Sequence, residues 1–356
     1  MISRPGRDAM PAFRNAGDRF AELDALRGIA ALWVLIFHYF LRYDQLYETR
    51  DRPLLRAPSG PLFDEGFIGL LPVCLFFMIS GFVISLSLER SGTLYRFCVS
   101  RFSRLFPAYW TAAALTFAVG TLAPLPGQDY GAGQLLANLT MLQGFLYIPP
   151  IDGVYWSLAH ELGFYALAAA AFSLGALKRP AWAFGAWLGL AVLIRFEPLT
   201  GPILPYRAQL AFALPFANFF LAGMIFYRIR EGRARVADHI LLAASAAASF
   251  LALPLSAAFI ALAFWAVFAF AVAGRLQFLA RRPLLFLGAI SYALYLVHQM
   301  IGYRAIMSLE AAGAPPLIAV AAATALSIGL AAAITYIVER PAMRALRRRL
   351  APKKGL

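Results

Sequence analysis

Apolar runs of 15 to 23 residues alternate along the chain with short polar segments, and none shows the every-second-residue alternation of a strand. Runs at 25–43, 67–88, 106–123, 154–176, 181–195, 207–227, 237–253, 255–273, 284–306 and 316–338 predict ten membrane spans. A further stretch, 134–148, is interrupted by Asn138, Thr140, Gln143 and Gly144 and falls short of a crossing. Backbone N–H and C=O groups in lipid must be satisfied within the segment, so these runs are helices rather than an open sheet. The expected fold is an all-α polytopic membrane protein, a bundle of about ten transmembrane helices plus one external interfacial or re-entrant helix. The bundle covers 23–341, between basic tails at 1–22 and 342–356.

Composition strengthens this reading. With 61% hydrophobic residues, 14% charged residues and a mean hydropathy of +0.69, the chain carries more apolar surface than a soluble domain can bury. The net charge of +14 does not point to nucleic acid, because the basic residues sit in separate short loops rather than one patch. Ten spans with a cytoplasmic N-terminus place 25 of the 32 Lys and Arg residues inside. Counting 134–148 as a crossing would invert every later loop against the positive-inside rule. Both termini are therefore expected in the cytoplasm, with the chain in the cell inner membrane. Residues 1–22 lack a cleavable apolar core, so the first helix is expected to stay attached. Cys74 and Cys98 form no disulfide framework, and no zinc-type spacing suggests a metal.

Against this apolar background a few polar groups stand out. Arg27 and His38 are eleven residues apart, about three turns, which puts both on one face roughly 16 Å apart along the helix. A snorkelling Arg and a packed His explain the pair equally well. Arg101 and Arg104, at i and i+3 in a basic loop, share a face and can fork onto phosphate oxygens, although topology alone requires a basic loop there. Ser157 and Glu161 share a face by their i, i+4 spacing. His160 between them reads as a local structural residue. Ser291, Tyr295 and His298 form one stripe. Measured from their external ends, His38, Glu161 and His298 lie roughly 8, 10 and 12 Å deep, one layer of ionisable groups opposite Arg27, Arg101 and Arg104.

The strings around these residues resemble the membrane-bound acyltransferase-3 family. Its first-helix pattern of Arg, ten residues and His matches Arg27 to His38. Its Phe-Phe-x-x-Ser-Gly-Phe matches Phe76 to Phe82, with Cys74 where many members carry an acidic residue. Arg101-x-x-Arg104, the run Trp156-Ser157-Leu158 with Glu161 and Phe164-Tyr165, Ser291-Tyr292 with Tyr295-Leu296 and His298, and Glu339-Arg340-Pro341 follow in order. The resemblance implies an O-acyltransferase moving an acyl group, most often acetyl, from cytoplasmic acyl-CoA to a saccharide hydroxyl.

On that reading Arg27, Arg101 and Arg104 hold the coenzyme phosphates, and His38 is the general base, or is itself transiently acylated, with Glu161 orienting it or stabilising its imidazolium. Trp156, Ser157, Ser291, Tyr295 and His298 line the tunnel or hold the acceptor. The acceptor is a free or lipid-linked saccharide. With only about 18 residues after the last span, the chain acts alone or with a separate extracytoplasmic acyltransferase partner. Arg347-Arg348-Arg349 reads as lipid-headgroup contact. The rival class is a proton-coupled transporter, which the intramembrane His and Glu also suit. No self-similarity between halves supports it.

Overall fold

The structure is a computed structural model that describes residues 20–47, 54, 65–178 and 180–350. Of the expected tails, 1–19 and 351–356 lie outside the described residues, as does most of the loop 44–66. The described chain is helical, with no strand. Its elements are α1 (Ala21–Phe37), α2 (Tyr43–Tyr47), α3 (Glu65–Ser91), α4 (Leu94–Leu122), α5 (Ala132–Leu139), α6 (Trp156–Ser173), α7 (Pro180–Leu193) and α8 (Glu197–Thr200). There follow α9 (Tyr206–Ala211), α10 (Ala217–Arg230), α11 (Val236–Ala252), α12 (Leu255–Val272), α13 (Arg282–Val297), α14 (Gln299–Ala311), α15 (Pro316–Ala333) and α16 (Arg340–Leu350). A π-helical turn, His38–Arg42, joins α1 to α2, and another, Ile334–Glu339, joins α15 to α16.

Two close helix pairs form the centre, α1 with α13 and α3 with α10. Glycines permit both. A Cβ at Gly288 would overlap the carbonyl of Asp24, and one at Gly81 or Gly223 would overlap a carbonyl of the opposite helix. Such contacts let backbones approach where lipid gives no hydrophobic drive to association. α10 is enclosed on all sides, every residue from Ala217 to Tyr227 being buried. The outer helix α12 instead exposes Phe259, Leu262 and Phe270, an apolar surface suited to lipid.

The number of spans differs from the sequence expectation. Among the described residues six helices are long and apolar enough to cross a membrane, and a seventh crossing forms if α13 and α14 are counted as one bent span. The count of ten is not confirmed, and several of the apolar runs are broken. The run 207–227 is split by a left-handed Ala213, with a φ of +48°, leaving α10 only 14 residues long. At about 1.5 Å per residue that helix spans roughly 21 Å, short of a 30 Å hydrocarbon core. α11 has 17 residues. Within 134–148, α5 supplies a single 8-residue helix before the chain turns back through Met141 and Tyr147, both with positive φ. This is the short, non-crossing helix that the polar interruptions predict.

Candidate active site, an arginine-rimmed cavity and a histidine pair

A narrow cavity of about 100 Å³ opens between α1, α3, α4, α6 and α13. Seven of the ten residues singled out in the sequence line it: Arg27, Arg101, Arg104, Ser157, Glu161, Ser291 and Tyr295. It has room for a thin chain rather than a bulky ligand.

The three arginines differ in their partners. Arg27 reaches Asp24 at 3.4 Å, one turn back on its own helix. Arg104 pairs with Glu339 of the second π-helical turn, and its guanidinium lies 5.7 Å from the Tyr292 ring centroid. Arg101 meets no carboxylate among the described residues. Its Nη2 donates to Ser100 Oγ at 3.3 Å, and its buried Nε has no acceptor. A guanidinium held this way, at the wall of a cavity, is suited to an anionic ligand.

Glu161 is held by hydroxyls. Ser80 Oγ donates to its Oε1 at 3.0 Å, and the Tyr165 hydroxyl donates to the same oxygen. Tyr165, one helical turn beyond Glu161, is a partner that the i, i+4 spacing could have revealed. Ser157 Oγ and Tyr295 Oη lie 2.7 Å apart and both reach the Val154 carbonyl. Ser291 Oγ donates to Gly288 O of its own helix at 2.9 Å, so its hydroxyl is engaged in α13. Trp156 does not line the cavity. It points away from Ser157 and is 38% exposed, against His160 and Phe216.

His38 and His298 also lie outside the cavity lining, and they meet each other. His298 Nε2 is 3.2 Å from His38 Nδ1, with ring centroids 4.8 Å apart in an edge arrangement. The sequence reading gave Glu161 the task of orienting His38. His38 meets His298 rather than Glu161: the groups that reach His38 are Val34 O and His298, while Glu161 is occupied by Ser80 and Tyr165. Tyr295 links the two regions, lining the cavity while its ring lies 5.9 Å from that of His298.

Hydrogen bonding assigns the tautomers of the neutral pair. His298 Nδ1 faces only the carbonyls of Leu294 and Tyr295, at 3.1 and 2.9 Å, so it carries the proton and Nε2 the lone pair. His38 Nδ1 then lies between two acceptors, Val34 O at 2.8 Å and His298 Nε2, and must be the protonated nitrogen. The lone pair of His38 is on Nε2. His38 is half-buried whereas His298 is 1% exposed, so His38 is the member that a ligand can reach.

No local pattern around His298 indicates what fixes it. It stands at the break between α13 and α14, which bend by 73°. Tyr39 Oη donates to its carbonyl at 2.7 Å. Beyond the break, Asp152 accepts from Met300 N and Val154 N, each at 3.2 Å, tying the first turn of α14 to the loop before α6. Burial lifts the Asp152 carboxyl to about 7, against the opposing pull of those two N–H groups. Among the described residues no group of three or more His, Cys, Asp and Glu could hold a metal ion.

An all-helical, multi-pass membrane protein with a basic-rimmed internal cleft and buried histidines is the class that this geometry defines. The chain belongs to the acyltransferase-3 family, whose acyltransferase-domain model matches residues 20–336. It is 26% identical to acyltransferase MdmB of Streptomyces mycarofaciens over 93% of both chains. It is also similar to the exopolysaccharide production protein ExoZ of Rhizobium meliloti (strain 1021), 30% identical over 44% of this chain and 50% of that one. An O-acetyl transferase of Shigella phage Sf6 is 33% identical over 26% of this chain and 25% of its own length. No solved structure matches.

Proposed function

We propose that the protein is an integral membrane O-acyltransferase that moves an acetyl group from cytoplasmic acetyl-CoA to a hydroxyl of an external saccharide. The observation that carries this reading is the cavity itself, which runs from three arginines to Tyr295, the residue that touches the histidine pair. Coenzyme A has the matching shape, with phosphates at one end, a thin arm and a reactive thioester at the tip. Arg27, Arg101 and Arg104 hold the phosphates on the cytoplasmic side, and Arg101, with no carboxylate partner, bears most on affinity. The positive-inside count supports the orientation, the name of the phage O-acetyl transferase supports the acetyl group, and that of the exopolysaccharide production protein supports the saccharide acceptor.

His38 Nε2 removes the acceptor's hydroxyl proton as the oxygen attacks the thioester carbonyl. His298 Nε2 accepts from His38 Nδ1–H throughout and stabilises the imidazolium, the part a carboxylate takes in a triad. His38 returns the proton to the departing thiolate, leaving the ester and free coenzyme thiol.

Proteoliposomes supplied with labelled acetyl-CoA and a panel of saccharides test this. The wild type is expected to label an acceptor, and His38→Ala to lose about 100-fold or more of the rate, in the range for removing a general base. A proton gradient driving solute uptake, with no label transferred to any acceptor, would replace this reading with transport.

A further inference from the structure

After the second π-helical turn the chain folds back along the start of α4 as α16. This brings Arg347 onto α4. Its Nε donates to Ser103 Oγ and its Nη2 to Ser100 Oγ, both at 3.3 Å. Arg101 Nη2 donates to the same Ser100 oxygen, again at 3.3 Å. Two guanidinium groups therefore converge on one neutral hydroxyl.

Neither has a carboxylate partner among the described residues, and Arg101 Nε is buried with no acceptor at all. Their neighbours are treated differently. Arg104 is paired with Glu339, Arg228 with Asp238 and Arg233 with Glu89. Like charges at this separation repel, and a hydroxyl offers only its lone pairs in return, whereas a doubly charged oxyanion would compensate both and accept several forked N–H bonds. Position decides which anion. Arg101 lines the cavity and Arg347, bonded to the same Ser100 hydroxyl, does not, so a group that meets both lies at the rim, where the adenosine end of a threaded coenzyme would sit.

We propose that Ser100, Arg101 and Arg347 form a subsite for a phosphate monoester, the phosphate on the ribose of the acyl donor's adenosine. This rests on the coenzyme reading above and deepens it. A phospholipid headgroup presents related chemistry, and the experiment separates the two sources.

The full chain in nanodiscs is titrated with coenzyme A and with 3′-dephospho-coenzyme A, in neutral phosphatidylcholine and in discs containing an anionic phospholipid. The wild type is expected to bind coenzyme A about ten-fold more tightly than the dephospho form in both lipids. Arg347→Ala abolishes that preference and leaves affinity for the dephospho form unchanged, which also reports an intact fold. Arg349→Ala, two positions further along the same helix, changes neither affinity. Equal weakening of both ligands by Arg347→Ala, or no weakening of either, overturns the subsite. An effect of Arg347→Ala seen only in anionic discs assigns the arginine to lipid and also overturns it. A wild type that binds neither coenzyme form refutes the acyl-CoA reading itself.

Discussion

Two acceptors hold the His38 proton at Nδ1, Val34 O at 2.8 Å and His298 Nε2 at 3.2 Å, and His298 accepts there because two backbone carbonyls hold its own proton at Nδ1. On the proposed mechanism the base is thus oriented by a backbone carbonyl and a neutral side chain rather than a carboxylate. His298→Ala should lower kcat roughly 10- to 100-fold, less than loss of His38, with little change in the KM for acetyl-CoA. A KM that rises while kcat is unchanged would make His298 a wall of the cavity instead. At this scale the sequence is informative where chemistry follows a short spacing: Arg27, Arg101, Arg104, Ser157 and Glu161 line one cavity as their positions suggest. It is uninformative about partners far apart in the chain. His38 and His298 are separated by 260 positions, and nothing in either local pattern indicates that they touch. The Glu161 pairing failed for the same reason, since depth along a helix fixes height but not rotation about its axis.

At the level of helices, the site depends on how closely α1 approaches α13. Gly288 and Gly28 bring the two backbones into contact, which aligns Arg27 and the His38 turn with the stripe of Ser291, Tyr295 and His298. Gly288→Ala should destabilise the protein by roughly 1–3 kcal/mol, because the new methyl meets a main-chain carbonyl that cannot step aside. Gly189→Ala in α7, where nothing lies within 4 Å of the new methyl, should stabilise by up to about 1 kcal/mol through helix propensity. Thermal unfolding in detergent checks both, and equal shifts would remove the close-approach argument. At Gly81, within the Phe76 to Phe82 string, α10 presses its backbone against α3. The breaks were less so. A run such as 207–227 keeps its hydropathy through a left-handed Ala213, and hydropathy alone does not reveal such a break.

Over the whole molecule, the proposed transfer from a cytoplasmic coenzyme to an external acceptor requires one path across the bundle, with phosphates at the arginine rim and the thioester at the histidine pair. The fold class and the family were legible because lipid imposes helices and because the polar strings span most of the chain. The contribution of α16 was not. Its arginines read as lipid contacts until the turn after α15 set Arg347 on α4. The most direct test is a cryo-EM structure of the protein with a non-hydrolysable thioether analogue of acetyl-CoA. The account predicts phosphates at Arg101 and the carbonyl carbon within roughly 4 Å of the space an acceptor oxygen would share with His38 Nε2, close to an attack geometry. An analogue seated on the lipid-facing surface, or one whose arm lies outside the cavity between α1, α6 and α13, would contradict it.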